Sequence, residues 1–127
     1  QMLEADRQAF LKQFYVAGHG IGFAVLGGVF GEGVDLPGQR LIGAFVATLG
    51  LPQFDAVNQA ICERMEARFG RGHDYTYVFP GIQKVVQAAG RVIRSETDTG
   101  SVLLLDERYG ERRYRSLLPN WWNIEMA

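Results

Sequence analysis

The run Val102-Leu103-Leu104-Leu105 sets four apolar side chains in a row. As a strand it would turn apolar groups to both faces of its sheet, and strands buried on both faces belong to parallel sheets covered by helices. Two other segments read the same way: Phe23-Ala24-Val25-Leu26, and Leu41 to Leu49, which Leu51-Pro52 closes. The third strand is expected over Ser101 to Asp106. Between the strands the apolar period becomes helical. Met2 to Tyr15 is expected to be an amphipathic helix with Leu3, Phe10, Leu11 and Phe14 on one side, and Asp55 to Phe69 a helix with Val57, Ile61, Met65 and Phe69 at four-residue spacing. Ile82 to Arg94 is expected to form a further helix, and Glu111 to Leu118 a short basic one ended by Pro119. Buried strands alternating with helices predict an α/β domain of three layers, a mainly parallel sheet flanked by helices.

At 127 residues, 47% of them apolar, the chain can bury one core and is too short for two ordinary domains. Residues 1–127 are therefore read as a single domain. The one cysteine, Cys62, excludes a disulfide framework or an all-cysteine metal site within the chain and fits a reducing compartment. It is expected to be a core thiol. No stretch approaches the roughly 18 apolar residues that span a bilayer, so no membrane partner is expected. The start, Gln1-Met2-Leu3-Glu4-Ala5-Asp6-Arg7, lacks a signal-peptide pattern and reads as a cut made in mid-helix of a longer protein.

A net charge of −1 argues against gripping nucleic acid by bulk electrostatics. Arginine supplies 11 of the 13 basic residues, and its planar fork matches phosphate and carboxylate where lysine offers a point charge. The predicted helix Ile82 to Arg94 buries Ile82, Val85, Val86, Ala89 and Ile93 as one stripe. Gln87, Arg91 and Arg94, with Gln83, then cluster on the other face. No acid lies between Tyr75 and Ser95 to neutralise those arginines. A solvated helix face would explain the charges. It would not explain Gly90, which in mid-helix costs about 1 kcal/mol relative to alanine, and a polyanion such as a nucleotide phosphate would explain both.

Eight of the 16 glycines fall between Gly18 and Gly38. The loop Gly27 to Gly38 follows a predicted buried strand, the place where open α/β sheets bind ligands, and its glycines would let backbone approach a phosphate or sugar. Glu32 and Asp35 add acceptors; a plain tight connection is the competing reading. No GxxxxGK[ST] and no GxGxxG occurs, so the chain has no phosphate cradle of its own. His19 and His73 have no partner at metal-ligand spacing and are expected to be loop residues. The chain offers arginines for phosphate without the apparatus to hold ATP alone, half of a site.

Gln87-Ala88-Ala89-Gly90-Arg91-Val92-Ile93-Arg94 resembles motif VI of superfamily 2 helicases, QxxGRxxR. Ser95-Glu96-Thr97-Asp98-Thr99-Gly100, the apolar strand and Asp106-Glu107-Arg108-Tyr109 are similar to the tail that follows it in the XPD/DinG branch. Gly31-Glu32-Gly33-Val34-Asp35-Leu36-Pro37-Gly38 resembles motif V of that branch, EG(I/V)D at its core, so the likeness covers nearly the whole chain. Residues Phe69 to Pro80 do not align and are expected to be a loop. The resemblance implies a second RecA-like motor domain. Arg91 and Arg94 would reach as arginine fingers to the γ-phosphate of ATP held by the first motor domain, and Gln87 would position nucleotide or attacking water. Glu32, Gly33 and Asp35 would couple nucleotide to single-stranded DNA, with Gly90 at the ligand. It implies ATP and Mg2+ held mainly by that first domain, and an iron–sulfur cluster possible in the parent though not in this chain. Location would be the cytoplasm at the bacterial nucleoid, or the nucleus. The chain by itself is expected to be a monomer without ATPase activity. Two other readings stay open: a non-catalytic nucleotide- or phosphate-binding module, and a partner-docking domain using Trp121 and Trp122.

Overall fold

The structure, a computed structural model, describes residues 2–32, 36–94 and 97–126, with the backbone alone at 31 and 32. Helix α1 spans Glu4–Lys12 and the single turn α2 spans Val29–Glu32. Strand β1 (Gly43–Val46) follows, then α3 (Ala56–Phe69) and a π-helical turn over Asp74–Val78 that runs directly into α4 (Phe79–Ala89). Strand β2 (Ser101–Leu104) and the short α5 (Arg112–Arg115) complete the order. The strands pair in parallel with Gly43 opposite Ser101 and Val46 opposite Leu104. A parallel pair needs a long crossover, and α3 and α4 provide it. The α/β class and parallel pairing match expectation; among the described residues the sheet has these two strands.

The core sits where α4 crosses β1. Leu49, Val78 and Val85 are fully enclosed, and Val46, Ile82, Tyr109 and Leu118 pack with them. Tyr109 reaches back from beyond β2, its hydroxyl donating to the Thr48 carbonyl at 2.9 Å. Burial pushes its phenol up to about 12. Alternation along the strands turns Val46, Val102 and Leu104 toward that core and leaves Phe45 63% exposed and Leu103 42% exposed on the other face.

Several elements differ from expectation. Phe23 to Leu26 is not a strand: Phe23 and Val25 are exposed, and only Leu26 packs on the core. Among the described residues no neighbouring strand supplies ladder bonds there, and an apolar run without them has no reason to extend as β-structure. The strand expected over Leu41 to Leu49 is confined to Gly43–Val46, and that over Ser101 to Asp106 to Ser101–Leu104. Helix α3 forms for local reasons: Asp55 caps it by accepting from the Asn58 amide at 2.8 Å, and Gly70 closes it at φ 65°. It buries none of its residues, and Val57, Ile61 and Phe69 lie open on it.

The segment expected as a loop between Phe69 and Pro80 is helical and partly core. Pro80 has no N–H, which removes the α-type bond to the Thr76 carbonyl, and the backbone takes the wider turn just ahead of it. There the Phe79 amide bonds the Asp74 carbonyl. Thr76, Tyr77 and Val78 are buried, and Phe54 stacks on Tyr77 at 5.4 Å. Asp74 accepts from both Arg71 and Arg113, tying this turn to α5.

Candidate functional site

Helix α4 carries the first part of the arginine motif. Ile82, Val85 and Ala89 are buried along it, while Gln87 is exposed. The helix expected to continue to Arg94 ends at Ala89: Gly90 is its C-cap at φ −65° and ψ −3°, and its amide bonds the Val86 carbonyl at 2.9 Å. Gly90 therefore does not bear a mid-helix cost, and the argument drawn from that cost does not hold. Gln87, Arg91 and Arg94 also do not share one straight helix face. Arg91 and Val92 form a turn whose amides bond the Ala88 and Ala89 carbonyls, and Arg94 lies beyond it.

Val92 anchors that turn in the protein, 3% exposed, so that Arg91 beside it is half-buried and Arg94 exposed. The expectation that the arginines lack a local partner is also corrected, since both make interactions within the fold. Asp98, just past the acid-free stretch, accepts from the Arg94 amide at 3.0 Å. Its side chain thereby ties the end of the motif to the approach to the strand, a role that the separation of four residues could have suggested.

The arginines approach the sheet at the edge where β2 begins. Its first amide, Ser101, donates to the Ile42 carbonyl at 3.0 Å, immediately ahead of β1. Gly100 fits because a Cβ there would lie 2.9 Å from that carbonyl oxygen and against Val92. Leu36, buried, precedes β1 in the chain. The expectations for Gly33 and Asp35 fall outside the described residues, as does the side chain of Glu32. At the opposite end of β2, Asp106 accepts two hydrogen bonds from the Arg108 guanidinium, at 2.8 and 2.7 Å, and one from the Arg108 amide. That fork holds the Asp106 carboxyl below its ordinary range and raises the guanidinium. The Asp-x-Arg-aromatic tail is thus a structural clamp that delivers Tyr109 to the core.

Among the described residues no group of three His, Cys, Asp or Glu side chains is placed to hold a metal ion. No helix among them is long and apolar enough to cross a membrane. Cys62 is half-buried on α3, and His73 packs on Tyr77.

Comparison with known proteins matches residues 1–125 to the helicase C-terminal domain family. The chain is 38% identical over 93 residues to the ATP-dependent DNA helicase DinG of Photobacterium profundum, 72% of this chain and 13% of that protein. It is 31% identical over 106 residues to the general transcription and DNA repair factor IIH helicase subunit XPD of Arabidopsis thaliana, 78% of this chain and 13% of the relative. It is 31% identical over 99 residues to a probable ATP-dependent helicase of Methanocaldococcus jannaschii, 71% of this chain and 15% of the relative. The chain thus spans a small part of the length of the curated relatives it matches.

Proposed function

Because the chain belongs to the helicase C-terminal domain family and is a RecA-like α/β domain of the XPD/DinG type, we propose that it supplies the arginines of an ATP site completed by another domain. That site would drive movement along single-stranded DNA. The observation that carries this reading is the turn after α4, where Gly90 ends the helix and Val92 is buried between Arg91 and Arg94 at one edge of the sheet. Guanidinium groups so presented stabilise the charge that spreads over a transferring phosphoryl group. Gln87, exposed on the last turn of α4, would orient nucleotide or attacking water. Glu32, Gly33 and Asp35 would couple that event to DNA, and Gly90 would leave room for the ligand.

ATP and Mg2+ would be held mainly by the first motor domain, since no GxxxxGK[ST] occurs here. An iron–sulfur cluster would have to draw its cysteines from elsewhere in the parent, because this chain has one. The partners are single-stranded DNA and that first domain, and the chain alone is a monomer.

Half a site cannot turn over. Steady-state phosphate release from the 127-residue chain by itself, with and without single-stranded DNA, is expected at buffer level. Release clearly above buffer, from protein free of contaminating ATPases, would contradict the division of labour between two domains.

A further inference from the structure

The basic helix and the tryptophan pair have no part in the ATP site. Helix α5 carries Arg112, Arg113 and Arg115. Arg113 is committed to the fold, bonded to Asp74 and lying over the Tyr114 ring at 5.6 Å. Arg112 and Arg115, three residues apart, fall on one side of the helix. Both are exposed, and no ion pair engages either among the described residues.

They line an open groove of about 710 Å³ between α5 and the terminal segment, together with Asn120, Trp122 and Asn123. Among the described residues no carboxylate lines it. Trp122 is half-buried and packs on the core, which fixes its ring. Trp121 meets it edge-on at 6.0 Å and is 74% exposed. The Trp122 amide bonds the Pro119 carbonyl at 3.0 Å, so backbone as well as packing holds the indole in place.

We propose that this groove binds a single-stranded nucleic-acid segment, with Arg112 and Arg115 on successive phosphates, the Trp122 indole as a base-stacking face and the two asparagines at base edges. Each component matches what such a strand presents. Guanidinium forks suit phosphate oxygens, and a fixed indole offers a stacking face to any base. Amides carry both donor and acceptor for base edges. An acidic peptide would use the arginines but would meet the indole only where it happened to carry an aromatic residue, whereas every nucleotide of a strand brings a base to stack. The groove is separate from the proposed ATP site: α5 follows the C-terminal end of β2, whereas Arg91 and Arg94 precede its beginning. It does not depend on that reading and can hold if the arginine-finger assignment fails.

The test uses the full chain and a 5-bromouracil-substituted twelve-nucleotide strand. Ultraviolet crosslinking followed by peptide mapping is expected to place the adduct on Trp121 or Trp122. In fluorescence anisotropy with labelled oligothymidylate, Arg112→Gln with Arg115→Gln should weaken binding roughly tenfold or more. It should also reduce the slope of log K against log salt by about 1.4, from about 0.7 for each phosphate contact. Trp122→Phe, which keeps a ring in the core, should move the adduct or lower its yield while leaving that slope unchanged. Circular dichroism of the arginine double variant should match wild type, as both side chains are exposed. Adducts confined to other segments, or a double variant that binds and responds to salt as wild type does, would overturn the proposal. So would polyglutamate competing as well as oligothymidylate, which would assign the groove to an acidic protein partner.

Discussion

Gly81 and Gly90 sit at opposite ends of α4 under different constraints. At Gly81 a Cβ would stand 2.7 Å from the Leu49 carbonyl oxygen and 2.9 Å from a Leu51 methyl, so the helix can meet that backbone only through glycine. Gly81→Ala is expected to cost about 1–3 kcal/mol, the usual cost of overpacking a tight site, read from the midpoint of urea unfolding. Gly90 has a negative φ that any residue adopts, and a Cβ there would lie 3.3 Å from the Val86 carbonyl oxygen. Gly90→Ala should stay within about 1 kcal/mol of neutral. If the variant folds normally and yet loses ATP turnover in the parent protein, the glycine serves a ligand and not the helix. The motif itself, Gln87 to Arg94, was legible in the sequence. Its shape was not: glycine within a helical pattern is the same letter whether it continues a helix or caps it, and Asp98 lies beyond the acid-free stretch that contains the arginines.

Within the elements, the apolar period of α4 located real core, because its stripe meets β1 and Tyr109. The four-residue spacing along α3 looked equally strong and buried nothing. Periodicity reports that a helix has an apolar face and is silent on what covers it, so the two stripes separate only by mutation. Ile82→Ala on α4 should cost about 2–5 kcal/mol. Ile61→Ala on α3 should fall within about 0.5 kcal/mol. Comparable losses at both positions would contradict the burial described here. The π-turn was missed for a related reason: Asp74 to Val78 shows no regular apolar spacing, and the signal lay in the missing N–H of Pro80. Asp74 links that turn to α5. Burial pushes its carboxyl up, but the hydrogen bonds from Arg113 and Arg71 outweigh this and hold it below its ordinary value of 3.8. A carboxyl depressed in the folded state stabilises fully above that value, and the contribution fades as pH falls through the lowered one. Asp74→Asn should therefore be less stable than wild type at neutral pH, with the gap closing below about pH 4. A gap that widens in acid would show that the ion pairs do not stabilise the fold.

For the whole molecule, the α/β class and the parallel pairing followed from buried apolar runs, and the run at Phe23 failed because a strand needs a neighbour to bond. The molecule brings the arginine-bearing turn and the approach to β1 to one edge, with the Arg112–Trp122 groove beyond the other. Such an arrangement makes sense for a domain whose chemistry is completed by a partner. The direct measurement is DNA-stimulated ATP hydrolysis by the parent protein carrying Arg94→Ala, taken beside its ATP affinity and thermal midpoint. Arg94 is exposed, so folding should change by no more than about 0.5 kcal/mol, and ATP affinity, which the proposed division of labour assigns to the other domain, should survive. Turnover should fall by about 10³–10⁵, the contribution typical of an arginine finger. Arg94→Lys should not restore it, because a point charge does not reproduce the fork. Normal turnover per folded molecule, with a midpoint several degrees lower, would show that Arg94 holds the fold and would contradict the account.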